Sequence, residues 1–261
     1  MNFLWVYNIK EWQLLLLIVV LFVLIGVVGL LITEPSIKRW LGSPPSSNDL
    51  IANFLQIIGV FYGITLGLVS VATWGEYSKV DEISSKEASL LGCMYKGATA
   101  FPEPVRSEMK NEIKGITRYI IKEAWPIQQK GLIPEGGRTA RLENILYNFQ
   151  PKTENEKIIF SNELALFNSM IEARRDRKET ITSGLPDVLY WVLFIGAAIN
   201  ICTTWFLVST KKGLHIIITA MTSILIGSLI FLIITMDYPY IGKFSVTPEA
   251  YQLIYSDVMG G

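Results

Sequence analysis

The chain has 261 residues, of which 51% are apolar and only 18% charged, and its 23 basic and 23 acidic residues cancel. That apolar share exceeds what a water-soluble core needs, and the absence of a basic excess or block argues against a nucleic-acid partner. A lipid bilayer is the solvent such a composition calls for.

Leu14 to Ile32 is the first long stretch free of Asp, Glu, Lys and Arg, and it reaches the roughly 20 residues needed to cross a hydrocarbon core. Lys10 beside Glu11 precedes it, its apolar run is too long for a signal peptide and no small-residue cleavage site follows, so a span is expected rather than a leader. Leu50 to Trp74 predicts the second span. There Gly59, Gly63 and Gly67 recur every four residues and form a small or polar stripe with Gln56 and Ser70. Asn53, Phe54, Ile57, Phe61, Ile64, Thr65 and Leu68 cluster on the other face. One stripe is expected to meet a neighbouring helix while the other faces lipid, core or an aqueous path. The pattern does not assign the faces, and both stripes serving only as helix contacts is an equal reading.

Apolar residues Val80, Ile83, Leu90, Leu91 and Met94 carry the helical spacing onward through Glu76 to Ala98, predicting that the second helix projects beyond the membrane. Phe101-Pro102-Glu103-Pro104 breaks it. From Val105, the spacing of Met109, Ile113, Ile116, Tyr119, Ile120 and Trp125 predicts an amphipathic helix closed by Pro126. Ile127 to Gly137 reads as loop, marked by Pro134 and Gly136-Gly137. A short helix bearing Leu142, Ile145, Leu146 and Phe149 follows, then a turn at Pro151 and a longer helix from about Glu154 toward Ser183, ended by Gly184 and Pro186. Val188 to Thr210 and Leu214 to Met236 predict the third and fourth spans, with Asn200, Thr203, Thr204, Thr219, Ser223 and Gly227 as uncharged contacts between helices. No alternating strand pattern, repeat or low-complexity tract interrupts this series.

The expected fold is an all-α membrane protein with helices 1 and 2 in 1–75, a helical cytoplasmic domain in 76–187, helices 3 and 4 in 188–236 and a cytoplasmic C-terminal tail in 237–261. Lys10, Lys79, Lys86, Arg174, Arg175, Arg177, Lys178 and Lys243 flank the side holding both termini and the domain, against Lys38, Arg39, Lys211 and Lys212 on the other. The positive-inside rule puts the larger set in the cytoplasm, as for a multi-pass protein of a bacterial inner or plasma membrane. Cys93 and Cys202 are expected to be buried thiols, with neither a disulfide nor a zinc site, and His215 an interfacial ring; no metal or cofactor is expected.

No Gly-rich phosphate loop, paired-histidine motif or nucleophile elbow is present, which argues against an enzyme. The spans hold no ionisable residue, which argues against a proton-coupled pump but leaves passive conduction through a ring of several copies. Arg174, Arg175 and Arg177 form the strongest polar cluster. Pairing with carboxylates of the domain is favoured there over attraction for anions or lipid headgroups.

The run Gly59-Val60-Phe61-Tyr62 through Trp74-Gly75-Glu76-Tyr77, with Glu87-Ala88, Arg174-Arg175-Asp176-Arg177, Leu185-Pro186-Asp187 and Asp237-Tyr238-Pro239-Tyr240-Ile241-Gly242, resembles the bestrophin-like proteins of prokaryotes and plants. That family looks like a distant relative of the bestrophins, pentameric and mostly anion-conducting channels with four spans and a helical cytosolic region. The resemblance implies a homo-oligomer, a pentamer by analogy, in which small inorganic ions cross an apolar neck on the second span. Asn53, Ile57, Phe61, Ile64, Thr65 and Leu68 would line the pore, and Gly59, Gly63 and Gly67 would lie against neighbouring helices. Anchoring on Trp74 and Tyr77 instead shifts the neck toward Gln56, Val60 and Ile64, so only Ile64 fits either register. The acidic run that binds calcium in animal bestrophins is absent from Lys243 to Pro248. A non-conducting membrane scaffold that docks a partner on its helical domain is the alternative, and a lipid-binding role for the Arg174 cluster is a weaker third reading.

Overall fold

A computed structural model of the chain describes residues 7, 9–41, 45–134, 138–181, 184–242 and 244–260, with 45–47 described by backbone alone. The Gly136-Gly137 turn, the helix end at Ser183 and the flanking charge of Lys243 lie outside the described residues. All regular structure among the described residues is helical: α1 (Glu11–Leu41), α2 (Pro45–Gly97), α3 (Val105–Tyr119), α4 (Trp125–Gln128), α5 (Thr139–Asn148), α6 (Glu154–Glu179), α7 (Asp187–Trp205), α8 (Lys212–Asp237) and α9 (Glu249–Asp257). Four of them, α1, α2, α7 and α8, are long and apolar enough to cross a membrane. The chain divides into a first unit of residues 1–75 and 184–237 and a second of 76–183 and 238–261.

In the first unit small residues set the close approaches. A Cβ on Gly26 would collide with Ser223 Oγ, one on Gly227 would stand 3.3 Å from Phe22, and one on Gly29 would run into the Trp205 ring. Without side chains at these points α1 lies tightly along α8, which is how helices associate where lipid removes the hydrophobic drive. Trp205 Nε1 donates to the Gly26 carbonyl at 2.9 Å. The third span is shorter than its uncharged stretch, since α7 stops at Trp205. Beyond it Asn48 takes over the backbone pairing, donating to the Val208 carbonyl at 2.6 Å and accepting its N–H at 2.9 Å. His215, in the first turn of α8, is buried, and its Nε2 donates to the Thr204 carbonyl at 2.8 Å.

The second unit has its own apolar core. Val80, Leu91 and Met94 of α2 meet Met109, Ile113 and Ile116 of α3, Leu142 and Leu146 of α5, and Phe167 and Met170 of α6. The amphipathic stripe of α3 is as the spacing predicts, but Pro126 does not close it. Residues 120–124 form a wider π turn that leads directly into α4. Such a turn relieves the clash of a proline ring with the preceding carbonyls. Thr153 caps α6 by accepting the Glu156 N–H at 3.2 Å, while the Glu156 carboxylate takes the Lys152 N–H at 2.6 Å. Cys93 is exposed and Cys202 half-buried, against the expected burial. Cys93 lies about 200° round α2 from the buried Leu91, at ~100° per residue.

The C-terminal segment is no free tail. Tyr240, Val246, Tyr251 and Met259 are all buried in the second core. Trp125 Nε1 donates to the Val246 carbonyl at 3.2 Å, and Tyr240 and Tyr251 each approach the Trp125 ring at 5.7 Å between centroids.

Candidate functional site

Within the first unit, α2 is covered on one side only. Tyr62, Leu66, Val69 and Thr73 are buried, at the three- and four-residue spacing that keeps side chains on one helix face. Tyr62 Oη donates to the Leu193 carbonyl at 2.8 Å, and its ring lies where a side chain on Gly196 would be. This third face is absent from the two stripes read in the sequence. In hydrocarbon an apolar residue is equally at home against lipid or protein, so hydrophobicity alone cannot reveal it.

The bulky stripe read from the sequence is largely open within the chain, and the small stripe is open at Gly63 and Gly67. On the bulky face Ile57 is 57% exposed, Phe61 70%, Ile64 56% and Leu68 68%, with Asn53 exposed and Thr65 half-buried. The Thr65 hydroxyl donates to the Phe61 carbonyl at 2.9 Å, which satisfies it without a partner helix. On the small face a Cβ at Gly63 or Gly67 would meet nothing within 4 Å, and one at Gly59 would meet only Asn200 Oδ1 at 3.9 Å.

In the second unit one buried stripe of α6 carries ionisable side chains at three places, namely Glu163, Arg174 and Arg177, with Phe167 and Met170 between them. Their surroundings differ. Arg177 is fully buried and its Nε donates to Glu87 Oε2 at 2.5 Å. Tyr251 donates its hydroxyl to the same oxygen at 2.9 Å. The guanidinium also lies 5.9 Å from the ring centroids of Trp125 and Tyr251. Burial works against the Arg177 charge, but the Glu87 carboxylate beside it more than offsets this and holds the group above its ordinary range. Burial likewise pushes the Tyr251 phenol up, reinforced by Glu87.

Glu163 is fully buried, and burial pushes its carboxyl up to about 8. It is therefore mostly protonated at neutral pH. Arg174 is 6% exposed, its Nη1 is buried without a partner, and desolvation lowers its pKa. Arg175 is exposed and pairs with Glu179 at 3.1 Å. The expected pairing of the cluster with carboxylates thus describes Arg175 and Arg177 but not Arg174. Glu87 is visible in the sequence as a charge in the Val80, Ser84, Leu91, Met94 register of α2, whereas Tyr251 gives no comparable signal. Among the described residues no group of three or more His, Cys, Asp or Glu could hold a metal ion.

Other residues of the quoted runs tie segments together within one unit. In the first, Asp237 accepts the Leu185 N–H at 2.5 Å and the Tyr190 hydroxyl at 2.6 Å. In the second, Tyr240 Oη donates to the Arg177 carbonyl at 3.3 Å. The sequence matches the Bestrophin-like domain family over residues 20–251. The chain belongs to the bestrophin-like family. Its fold is similar to a crystal structure of a bacterial bestrophin homolog from Klebsiella pneumoniae carrying a point mutation, with TM-score 0.70 and 12% identity over 93% of this chain and 99% of that one. Another crystal structure of the Klebsiella pneumoniae homolog gives TM-score 0.69 at 12% identity, over 94% of this chain and 98% of that one. No curated protein sequence matches. At such identities the likeness is one of fold, and the bestrophin-like chain is accordingly an all-α membrane protein with four spanning helices and a helical unit between the second and third.

Proposed function

We propose that this bestrophin-like chain forms a homo-oligomeric ion channel, pentameric and anion-preferring, with its neck on α2 and its second unit in the cytoplasm. The observation that carries this reading is the uncovered bulky face of α2, where Ile57, Phe61, Ile64 and Leu68 are each more than half exposed. Asn53 shares that face and is exposed, and its amide suits a ring around water better than contact with acyl chains. The open glycines beside it would let α2 of a second copy approach closely. Ions would cross passively, since Ile57, Phe61 and Ile64 would act as an apolar constriction that conducts only when wetted.

Ion flux from liposomes containing the purified protein tests this, with chloride compared against potassium. Phe61→Ala and Ile64→Ala widen the neck and should speed flux, with chloride ahead of potassium. Silence in wild type and both variants, in oligomers of verified assembly, would instead support a non-conducting scaffold.

A further inference from the structure

The charges of α6 in the second unit are not equally provided for. Glu87 balances Arg177, Glu179 balances Arg175, and protonation neutralises Glu163. Of the buried charges Arg174 remains, more than nine-tenths buried, with its Nη1 facing no acceptor. The Glu87 carboxylate attracts it from a distance, but Arg177 and Tyr251 occupy that carboxylate. Lys178 follows one turn later, on the same helix face, and among the described residues it has no ion-pair partner either. A buried guanidinium without a counter-charge is costly. Both residues border one cavity of about 530 Å³ in the second unit, together with Thr139, the isoleucines Ile133 and Ile171, and the mutually paired Arg175 and Glu179.

We infer that this cavity is an oxyanion site for a phosphate group, held by Arg174 and Lys178 with the Thr139 hydroxyl beside them. Two positive charges lacking partners match a phosphate dianion. A guanidinium fork and an ammonium are the two donors that proteins use most for this group. The cavity exceeds the size of a bare phosphate and has isoleucine walls, so it leaves room for the body of a phosphomonoester, either a soluble metabolite or a lipid headgroup. Burial and the neighbouring Arg174 and Arg177 charges lower the Lys178 pKa, and a bound dianion would reverse that effect. The site stands whether or not the chain conducts.

The test uses the full chain in phosphatidylcholine nanodiscs, with inorganic phosphate and glycerol phosphate added in one arm and phosphatidic acid built into the disc in another. Binding is read by thermal shift and by phosphorus NMR line broadening. Saturable binding is expected, weakened about tenfold by Lys178→Gln through loss of one charge-assisted hydrogen bond. Lys157→Gln, which removes an exposed charge near the start of the same helix, should leave it unchanged. Lys178 is half-buried and has no ion-pair partner to lose, so Lys178→Gln should keep the fold, which the thermal melt checks, and the result does not depend on whether Arg174→Gln folds. Saturation by the soluble anions identifies a metabolite-type ligand, and saturation by phosphatidic acid alone identifies a headgroup. No saturation in either arm, or equal binding by wild type and Lys178→Gln, overturns the site.

Discussion

Glu87 and Arg177 lie in direct contact inside the second unit, and removing one of them is a different perturbation from removing both. A buried charge stripped of its partner costs about 3–5 kcal/mol, whereas replacing a whole buried pair by apolar residues of similar volume is often neutral. Arg177→Met should therefore lower the unfolding midpoint of the second unit sharply, and Glu87→Met with Arg177→Met should recover most of the loss. Thermal unfolding of the purified chain, followed by tryptophan fluorescence, measures both. Glu163 gives a pH dependence. Its carboxyl moves from an ordinary 4.5 to about 8 on folding, so between those values the folded state holds a proton that the unfolded chain releases. The stability it contributes is fully present below about pH 4.5 and is lost as pH rises through about 8. Glu163→Gln should remove that component, and melting temperatures that follow pH identically in wild type and variant across this window would refute it.

At the scale of elements, the glycines divide into those with neighbours and those without. Gly29→Ala would place its methyl inside the Trp205 ring, and overpacking of this kind costs about 1–3 kcal/mol. The methyl of Gly63→Ala meets nothing within 4 Å in its own chain, so it should leave the melting of the monomer unchanged while weakening association between copies. Native mass spectrometry beside a thermal melt separates the two effects. Helices with a strong amphipathic stripe are legible in the sequence: Met109, Ile113 and Ile116 mark the buried side of α3 through spacing alone. The short α9 is not, because only Tyr251 of its residues is buried and that burial depends on Trp125 and Glu87 far away in the chain. The run of uncharged residues after Trp205 likewise overstates α7, since composition records which residues tolerate lipid and not where the helical hydrogen bonds end.

For the molecule as a whole, the four spans and the helical insertion follow from charge-free stretches and helical period, which is why they are readable without coordinates. Which residues close the second unit is hidden, because the C-terminal segment joins its core through contacts remote in sequence. The candidate pore face is visible as a stripe, but its exposure is a property of three-dimensional arrangement. The return of the C-terminal segment also bears on biosynthesis. Glu87 and Tyr251 are 164 residues apart, and at roughly 5–20 residues per second the ribosome needs on the order of ten seconds to make the stretch between them. Once Trp125 and Arg177 have been made, the nascent second unit still lacks the tyrosines that cover them, so its core is complete only after the C-terminal segment has been synthesised.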